Sequence, residues 1–323
     1  MKALVQDRYG ECELLAVDKP VARDDEVLVE VRAASVNAYD WHIMRGDPYL
    51  ARLMSPGVFG LRGPKRKIRG RDVAGRVEAV GENVTGFVPG DEVFGDLGHR
   101  SGTFAEYVCV PAGQLARKPA NLTFEEAAAV PLAGNTALMG LRDFATVHPG
   151  QHVLVNGASG GVGTFAVQLA KAFGAEVTAV CRTRNVDLVR DLGADHVVDY
   201  TRADFADRRY DVVLDLVGNR SLKDLRRAAG TVVIGGGGVS HGGSVVGPIG
   251  LVIRSQLARP FVRDRLVLLN EKASSANLAT LRDFLESGQV RVVIDRTYPL
   301  TEAAEAIRYV EVEHARAKVV VTV

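Results

Sequence analysis

The stretch Gly157-Ala158-Ser159-Gly160-Gly161-Val162-Gly163 constrains this chain more than any other. The apolar run His152 to Val155 leads into it, and a helix-like segment, Thr164 to Lys171, follows. Strand, glycine-rich turn and helix in that order let a pyrophosphate approach main-chain N–H groups at a helix N-terminus. Glycines also serve ordinary βα turns, so context decides. Here a second strand, Glu176 to Cys181, comes after Gly174 and completes a βαβ unit. The candidate dinucleotide contacts are Ser159, Gly160, Gly161, Val162 and Gly163.

The end of that second strand indicates which nucleotide. A site for NAD places Asp or Glu there to hold the ribose 2′-OH. This chain reads Cys181-Arg182-Thr183-Arg184-Asn185, with no acid before Asp187. Two guanidiniums and a hydroxyl suit a 2′-phosphate. The expected cofactor is therefore NADP(H), held by Arg182, Thr183 and Arg184; the alternative is that both arginines face water at a strand end.

A chain of 323 residues suits two domains, and 47% hydrophobic residues can fill two cores. Net charge of +1 gives no general attraction to nucleic acid or anionic membranes, so nucleic acid is not an expected partner. Three scattered cysteines form no metal-type cluster and suit a reducing compartment. No apolar window reaches the roughly 18 residues of a spanning helix. The N-terminus reads as a strand rather than a signal peptide. The expected location is cytoplasmic.

Residues 1–123 read as short strands between turns. From 124, helical stretches alternate with apolar strands at 152–156, 176–181, 211–216 and 231–234, which predicts right-handed crossovers and a parallel sheet. Leu266 to Asn270 is a candidate last strand, and residues 317–323 another. The Gly-rich segment 235–259 follows a sheet strand, where ligands bind, and reads either as a lid or as a connecting loop. The basic run from Arg62 to Arg71 reads first as a solvated loop.

Several motifs in order resemble the medium-chain dehydrogenase/reductase superfamily, and its zinc-independent quinone oxidoreductase branch in particular. They are Val36-Asn37-Ala38-Tyr39-Asp40-Trp41, Gly70-Arg71-Asp72-Val73-Ala74-Gly75, Val88-Pro89-Gly90-Asp91-Glu92-Val93, the Gly157–Gly163 turn, and His314-Ala315-Arg316-Ala317-Lys318-Val319-Val320. The resemblance implies an α/β chain: a GroES-like β-rich catalytic domain from 1–123 and 271–323, with a Rossmann domain, 124–270, inserted. It also implies a homodimer formed by edge pairing of Rossmann sheets. Zinc-dependent relatives carry ligands where this chain has Asn37 and Arg71. A permanently protonated arginine cannot ligate zinc, so no metal is expected.

Without a metal, hydrogen-bond donors must stabilise the charge that develops when hydride reaches the acceptor. That favours quinones and α,β-unsaturated carbonyls, which delocalise the charge themselves. The resemblance implies roles for particular residues. Asn37 is the first candidate donor, with an Asx turn as the plain alternative. Tyr49 is the second; related enoyl reductases place a tyrosine two residues after the glycine that is Gly46 here, and Pro48 shifts this one to three. Tyr39 and Trp41 can line the pocket, and His42 and His241 can shuttle protons. Tyr200, Val217, Gly218, Gly235, Gly236 and Lys318 are carried over as cofactor contacts. Two other functions stay open: a 2-enoyl thioester reductase, and an NADPH-binding structural or nucleic-acid-binding protein of crystallin type.

Overall fold

The computed structural model describes residues 1–54, 57–60, 63–236, 249–258, 265–313 and 315–323. The basic run loses Arg62 to this limit, and the Gly-rich segment loses 237–248, including His241. The chain forms two compact units. A β-rich unit holds Met1–Asn135, Lys272–Gly288 and Val292–Val323; a parallel-sheet unit holds Thr136–Glu271 and Gln289–Arg291.

In chain order the strands are β1 (Lys2–Val5), β2 (Glu13–Ala16), β3 (Glu26–Val36), β4 (Asp72–Val80), β5 (Glu92–Asp96), β6 (Tyr107–Pro111) and β7 (Leu115–Arg117). The parallel-sheet unit supplies β8 (His152–Asn156), β9 (Glu176–Cys181), β10 (His196–Asp199), β11 (Tyr210–Asp215), β12 (Ala229–Ile234) and β13 (Arg265–Leu268). The chain then returns with β14 (Ile294–Pro299) and β15 (Lys318–Thr322).

The β-rich unit is organised by β3. Its valines at 27, 29, 31 and 36 are β-branched and almost wholly buried. Along one side β3 pairs with β4; along the other, residues 26–30 pair with β6 and residues 33–36 with β15. The sheet runs β14-β15-β3-β4-β5-β7, so a strand from the end of the sequence lies inside it. One core cluster gathers Val27, Val29, Val73, Val93, Val110 and Leu115. Another packs Val36, Met44, Ile307, Val319 and Val321 together, joining β3 and β15 to the helix Ala303–Val312.

The helix Phe124–Ala128 belongs to the β-rich unit, where Ala127 and Ala128 are buried and the helix packs on β3 and β4. The expected boundary after 123 therefore falls later, at 135, because apolar packing holds this segment rather than a change of texture. Residues 289–291 return to the parallel-sheet unit. There the Gln168 side chain bonds both the carbonyl and the amide of Arg291, at 3.0 and 2.8 Å.

The second unit carries a six-stranded, all-parallel sheet in the order β10-β9-β8-β11-β12-β13. Among the described residues, helices at Gly161–Ala172, Val186–Asp191, Leu222–Ala228 and Ile249–Ala258 lie on four of the five crossovers, and the 3-10 turn Phe205–Asp207 lies on the one from β10 to β11. Counted within the unit this is the doubly wound order 3-2-1-4-5-6, whose direction of winding reverses between β8 and β11. The expected last strand at 266–270 is present as β13, at the sheet edge.

The turn after β8 fixes how closely its helix approaches. Gly157 has φ of 87°, in the left-handed region. A Cβ on Gly163 would meet the Gly157 carbonyl and lie 2.7 Å from the Ala158 Cα. Gly163→Ala should therefore push the helix off the sheet and cost about 1–3 kcal/mol, the usual range for overpacking. Denaturant unfolding measures the loss; unchanged stability would mean the turn has slack.

Candidate functional site

Strand register brings the predicted cofactor residues to one edge of the parallel sheet. Asn156 lies opposite Asp215, Cys181 opposite Asp199, and Asp215 opposite Ile234. The residues just beyond these ends are the glycine turn, Arg182–Arg184, Tyr200, Val217–Gly218 and Gly235–Gly236. A Cβ on Gly160 would meet only the Gly157 carbonyl, at 3.4 Å, so the loop has open space beside it. Gly160 is also the N-cap of the helix Gly161–Ala172, whose first N–H groups favour an anion. These features fit a dinucleotide.

Polar side chains stiffen this edge. Asn156 Nδ2 donates to Asp215 Oδ1 at 2.8 Å and to Asn219 Oδ1 at 2.9 Å. The same Asp215 oxygen accepts the amides of Val217 and Gly218, at 3.1 and 3.0 Å. Asn185 Nδ2 donates to Ser159 Oγ at 2.9 Å, tying the end of β9 to the glycine turn. Arg182 and Arg184 are exposed at the end of β9. Thr183 differs from expectation: its hydroxyl donates to Asp199 Oδ2 at 2.5 Å, and two bonds from Thr201 hold Oδ1. Those bonds hold the Asp199 carboxyl below its ordinary range.

The β-rich unit contains a second polar centre around Asp72, which is 0% exposed. Register places Ser35 opposite Asp72 and Val319 opposite Val36. Asp72 Oδ2 accepts Ser35 Oγ at 2.7 Å and Asn37 Nδ2 at 3.0 Å, and lies 3.5 Å from Lys318 Nζ. Its Oδ1 accepts the Leu132 amide at 3.0 Å. Lys318 Nζ also donates to Asn37 Oδ1 at 2.6 Å. Burial pushes the Asp72 carboxyl up and the Lys318 ammonium down, and each charge pulls the other back.

These placements change three sequence expectations. Asn37 is 6% exposed and its amide lies inside the network; its Nδ2 contacts are Asp72 and, at a long 3.4 Å, the Ser35 carbonyl. It is not a free donor. Lys318, carried over as a cofactor contact, is 3% exposed and bound to Asn37 and Asp72. Tyr49 is 46% exposed at the start of a six-residue helix, its ring 4.8 Å from the Arg52 guanidinium. His42 is half-buried, with Nδ1 3.2 Å from the Asp47 carbonyl.

Arg71, where zinc-dependent relatives carry a histidine ligand, is locked by Asp96: Nε to Oδ1 at 2.9 Å and Nη2 to Oδ2 at 2.5 Å. A guanidinium on a buried carboxylate offers no lone pair to a metal. Among the described residues no group of three or more His, Cys, Asp or Glu side chains could hold a metal ion. Nor is any described helix long and apolar enough to cross a membrane.

Sequence reasoning missed the partners Asp96, Asn219 and His99, whose Nδ1 is 3.3 Å from the Tyr39 hydroxyl, and the central part of Asp72. They lie tens of residues from the groups they hold, and only strand register joins them. The register was readable in principle from the paired apolar runs, but the polar partners within it were not.

Two family models match the chain: the alcohol dehydrogenase GroES-like domain over residues 23–120, and zinc-binding dehydrogenase over residues 192–321. The chain is 35% identical to the 2-methylene-furan-3-one reductase of Solanum lycopersicum, over 99% of this chain and 79% of that protein. It is 33% identical to the chloroplastic NADPH-dependent alkenal/one oxidoreductase of Arabidopsis thaliana, with the same coverage. Among solved structures, the quinone oxidoreductase from Coxiella burnetii superposes with a TM-score of 0.84 at 30% identity, covering 100% of this chain and 99% of that one.

Asp40 supplies a pH prediction for this centre. It is 1% exposed and accepts the Asn37 amide at 2.8 Å, and burial pushes its carboxyl from 3.8 up to about 6. The folded state thus holds this proton more tightly than the unfolded chain. The stabilisation is complete below the unfolded value and is lost as pH rises through about 6. Thermal unfolding should show Tm falling across that window, and Asp40→Asn should remove a total change on the order of 3 kcal/mol between about pH 4 and pH 6. An identical slope in the variant would remove Asp40 as the titrating group.

Proposed function

The chain belongs to the medium-chain dehydrogenase/reductase superfamily and is an oxidoreductase, and on that premise we propose that it reduces α,β-unsaturated carbonyls and quinones with NADPH and without zinc. The observation that carries the zinc-free reading is the Arg71–Asp96 pair, which puts a fixed cation where a metal ligand would stand. The acceptor class is supported by the relatives' activities and by the chemistry of a site that must work with hydrogen bonds alone. Bound NADPH supplies the hydride.

The residues divide the work. The amides of the glycine turn and the helix N-terminus hold the pyrophosphate, while Arg182 and Arg184 pair with the 2′-phosphate. Tyr200, Val217, Gly218, Gly235 and Gly236 line the nucleotide's path. Asn37 acts through its long contact to the Ser35 carbonyl, which an acceptor oxygen carrying negative charge displaces. Lys318, bound to the Asn37 oxygen, polarises that amide and strengthens it as a donor. Tyr49, exposed at a helix start, is a second candidate donor to the acceptor. Two copies pair through β13, the outer strand of the parallel sheet. Three unpaired cysteines suit a cytoplasmic setting.

The test is NADPH oxidation with a panel of enones, enals, quinones, enoyl thioesters and simple aldehydes. Turnover of the first three classes is expected, with metal analysis well below one zinc per chain and activity intact after chelation. Stoichiometric zinc with chelator-sensitive activity would overturn the reading.

Cofactor choice is tested separately. Replacing Arg182 and Arg184 together by alanine should weaken NADPH binding about 10–100-fold, since charged hydrogen bonds are worth about 1.5–3 kcal/mol before solvent screening. NADH binding should hardly change. Equal loss of both cofactors would assign the arginines to the fold or the pyrophosphate.

A further inference from the structure

Next to the Asp72 network lies a cluster that the proposed reaction has not used. Tyr39 follows Asn37 by two residues, in the first turn of the helix Ala38–Arg45. Its hydroxyl is 3.3 Å from His99 Nδ1, and the two rings are 5.9 Å apart between centroids. The Arg71 guanidinium lies 4.9 Å from the Tyr39 ring centroid. Asp96 holds both supports of this pair. Its carboxylate binds Arg71, and its Oδ1 accepts the amide of Gly98, which begins the turn carrying His99. Ser101, just after that turn, has φ of 52°, a left-handed conformation that strains a non-glycine residue.

From this cluster we propose that Tyr39, resupplied by His99, is the proton donor to the reduced acceptor. The proposal rests on the enone-reductase reading above. NADPH, when bound, would supply a hydride to the acceptor's β-carbon and become NADP⁺, so that the alkene's electron pair would move to the carbonyl as an enolate. The Tyr39 O–H bond then breaks, its proton forms the new C–H bond at the α-carbon, and the enolate becomes a ketone. The tyrosinate stays beside Arg71 until His99 passes it a proton from Nδ1, taken from water by the exposed imidazole.

The groups facing the pair suit these roles. Around Tyr39 stand Asp40, Arg69, Arg71 and Ser101; burial dominates and pushes the phenol up, so it remains protonated at neutral pH. Around His99 stand Arg71 and Asp96; burial and the Arg71 cation push the imidazole down. A neutral imidazole accepts the phenol's hydrogen bond at rest, and solvent contact lets it recharge. Arg71 favours the anion left on Tyr39 once the proton has gone.

Tyr39→Phe is the decisive variant, because it keeps the ring over Arg71 and removes only the hydroxyl. With an α-methyl enone, kcat should fall about 100-fold, within the range of a lost general acid. A highly electron-accepting quinone should lose less than about threefold, since its hydroquinone anion can take protons from solvent. Wild type should give one configuration at the α-carbon, and Tyr39→Phe should give both, because the proton then arrives from water. His99→Ala should be slow with the enone and recover with added imidazole. In the cofactor-free protein, the NMR titration of His99 should shift when Tyr39 becomes Phe. An unchanged enone rate with unchanged α-carbon configuration would overturn the proposal. If Tyr39→Phe fails to fold, His99→Ala decides: no loss, or no imidazole rescue, overturns it. A wild-type protein inactive on both enones and quinones would instead remove the functional reading, and the proposal with it.

Discussion

The β-rich unit depends on where Asp72 finds partners for its two oxygens. A carboxylate that is wholly out of water is costly unless hydrogen bonds and an opposite charge surround it. Ser35 and Asn37 supply hydrogen bonds from the end of β3, Leu132 supplies one from a helix start, and Lys318 supplies the charge from β15. The donors come from three separate segments, so the unit's local geometry is set by satisfying one group. Asn37 bonds Asp72 with its nitrogen and Lys318 with its oxygen, and its main-chain amide caps on Asp40. The helix bearing Tyr39 is thereby fixed in direction where it leaves β3.

The parallel-sheet unit solves a different problem, that of close approach. Its edge is built from glycines that let main chain lie against main chain, and from Asn156 and Asp215, which hold the loops after β8 and β11 beside each other. Beside Gly160 this edge is open, which leaves room for a ligand. The β-rich centre is the reverse: crowded, charged and closed by its own side chains. Chemistry that binds a large anionic cofactor needs the first kind of surface, and chemistry that moves a proton needs the second.

Much of the fold was legible in the sequence. Apolar runs at fixed spacing marked the sheet strands, and the glycine turn marked where the first helix starts, because both signals are local. That the candidate cofactor residues gather at one edge was legible for the same reason: each follows a strand, and a parallel sheet brings strand ends together. The catalytic side was less legible. Asn37 and Lys318 were recognised singly, but nothing local shows that one binds the other across 281 positions. Arg71 stood out in the sequence as a side chain with no lone pair for a metal, yet its partner Asp96 was invisible without the β4–β5 register. The boundary after residue 123 was misplaced because the helix that follows it looks like its successors in composition and packs with its predecessors.

The position of β15 has a consequence for how the protein is made. This strand sits between β14 and β3, yet it is synthesised after the whole parallel-sheet unit. Residues 136–271 are nearly a complete unit and can fold while translation continues, since domains generally fold as they emerge. The β-rich unit has no such option. Until Lys318 leaves the ribosome, one flank of β3 is unpaired over residues 33–36 and Asp72 lacks its counter-charge. A nascent chain therefore carries a parallel-sheet unit able to fold while the β-rich sheet is still unclosed, and that flank of β3 stays open until residue 322 emerges.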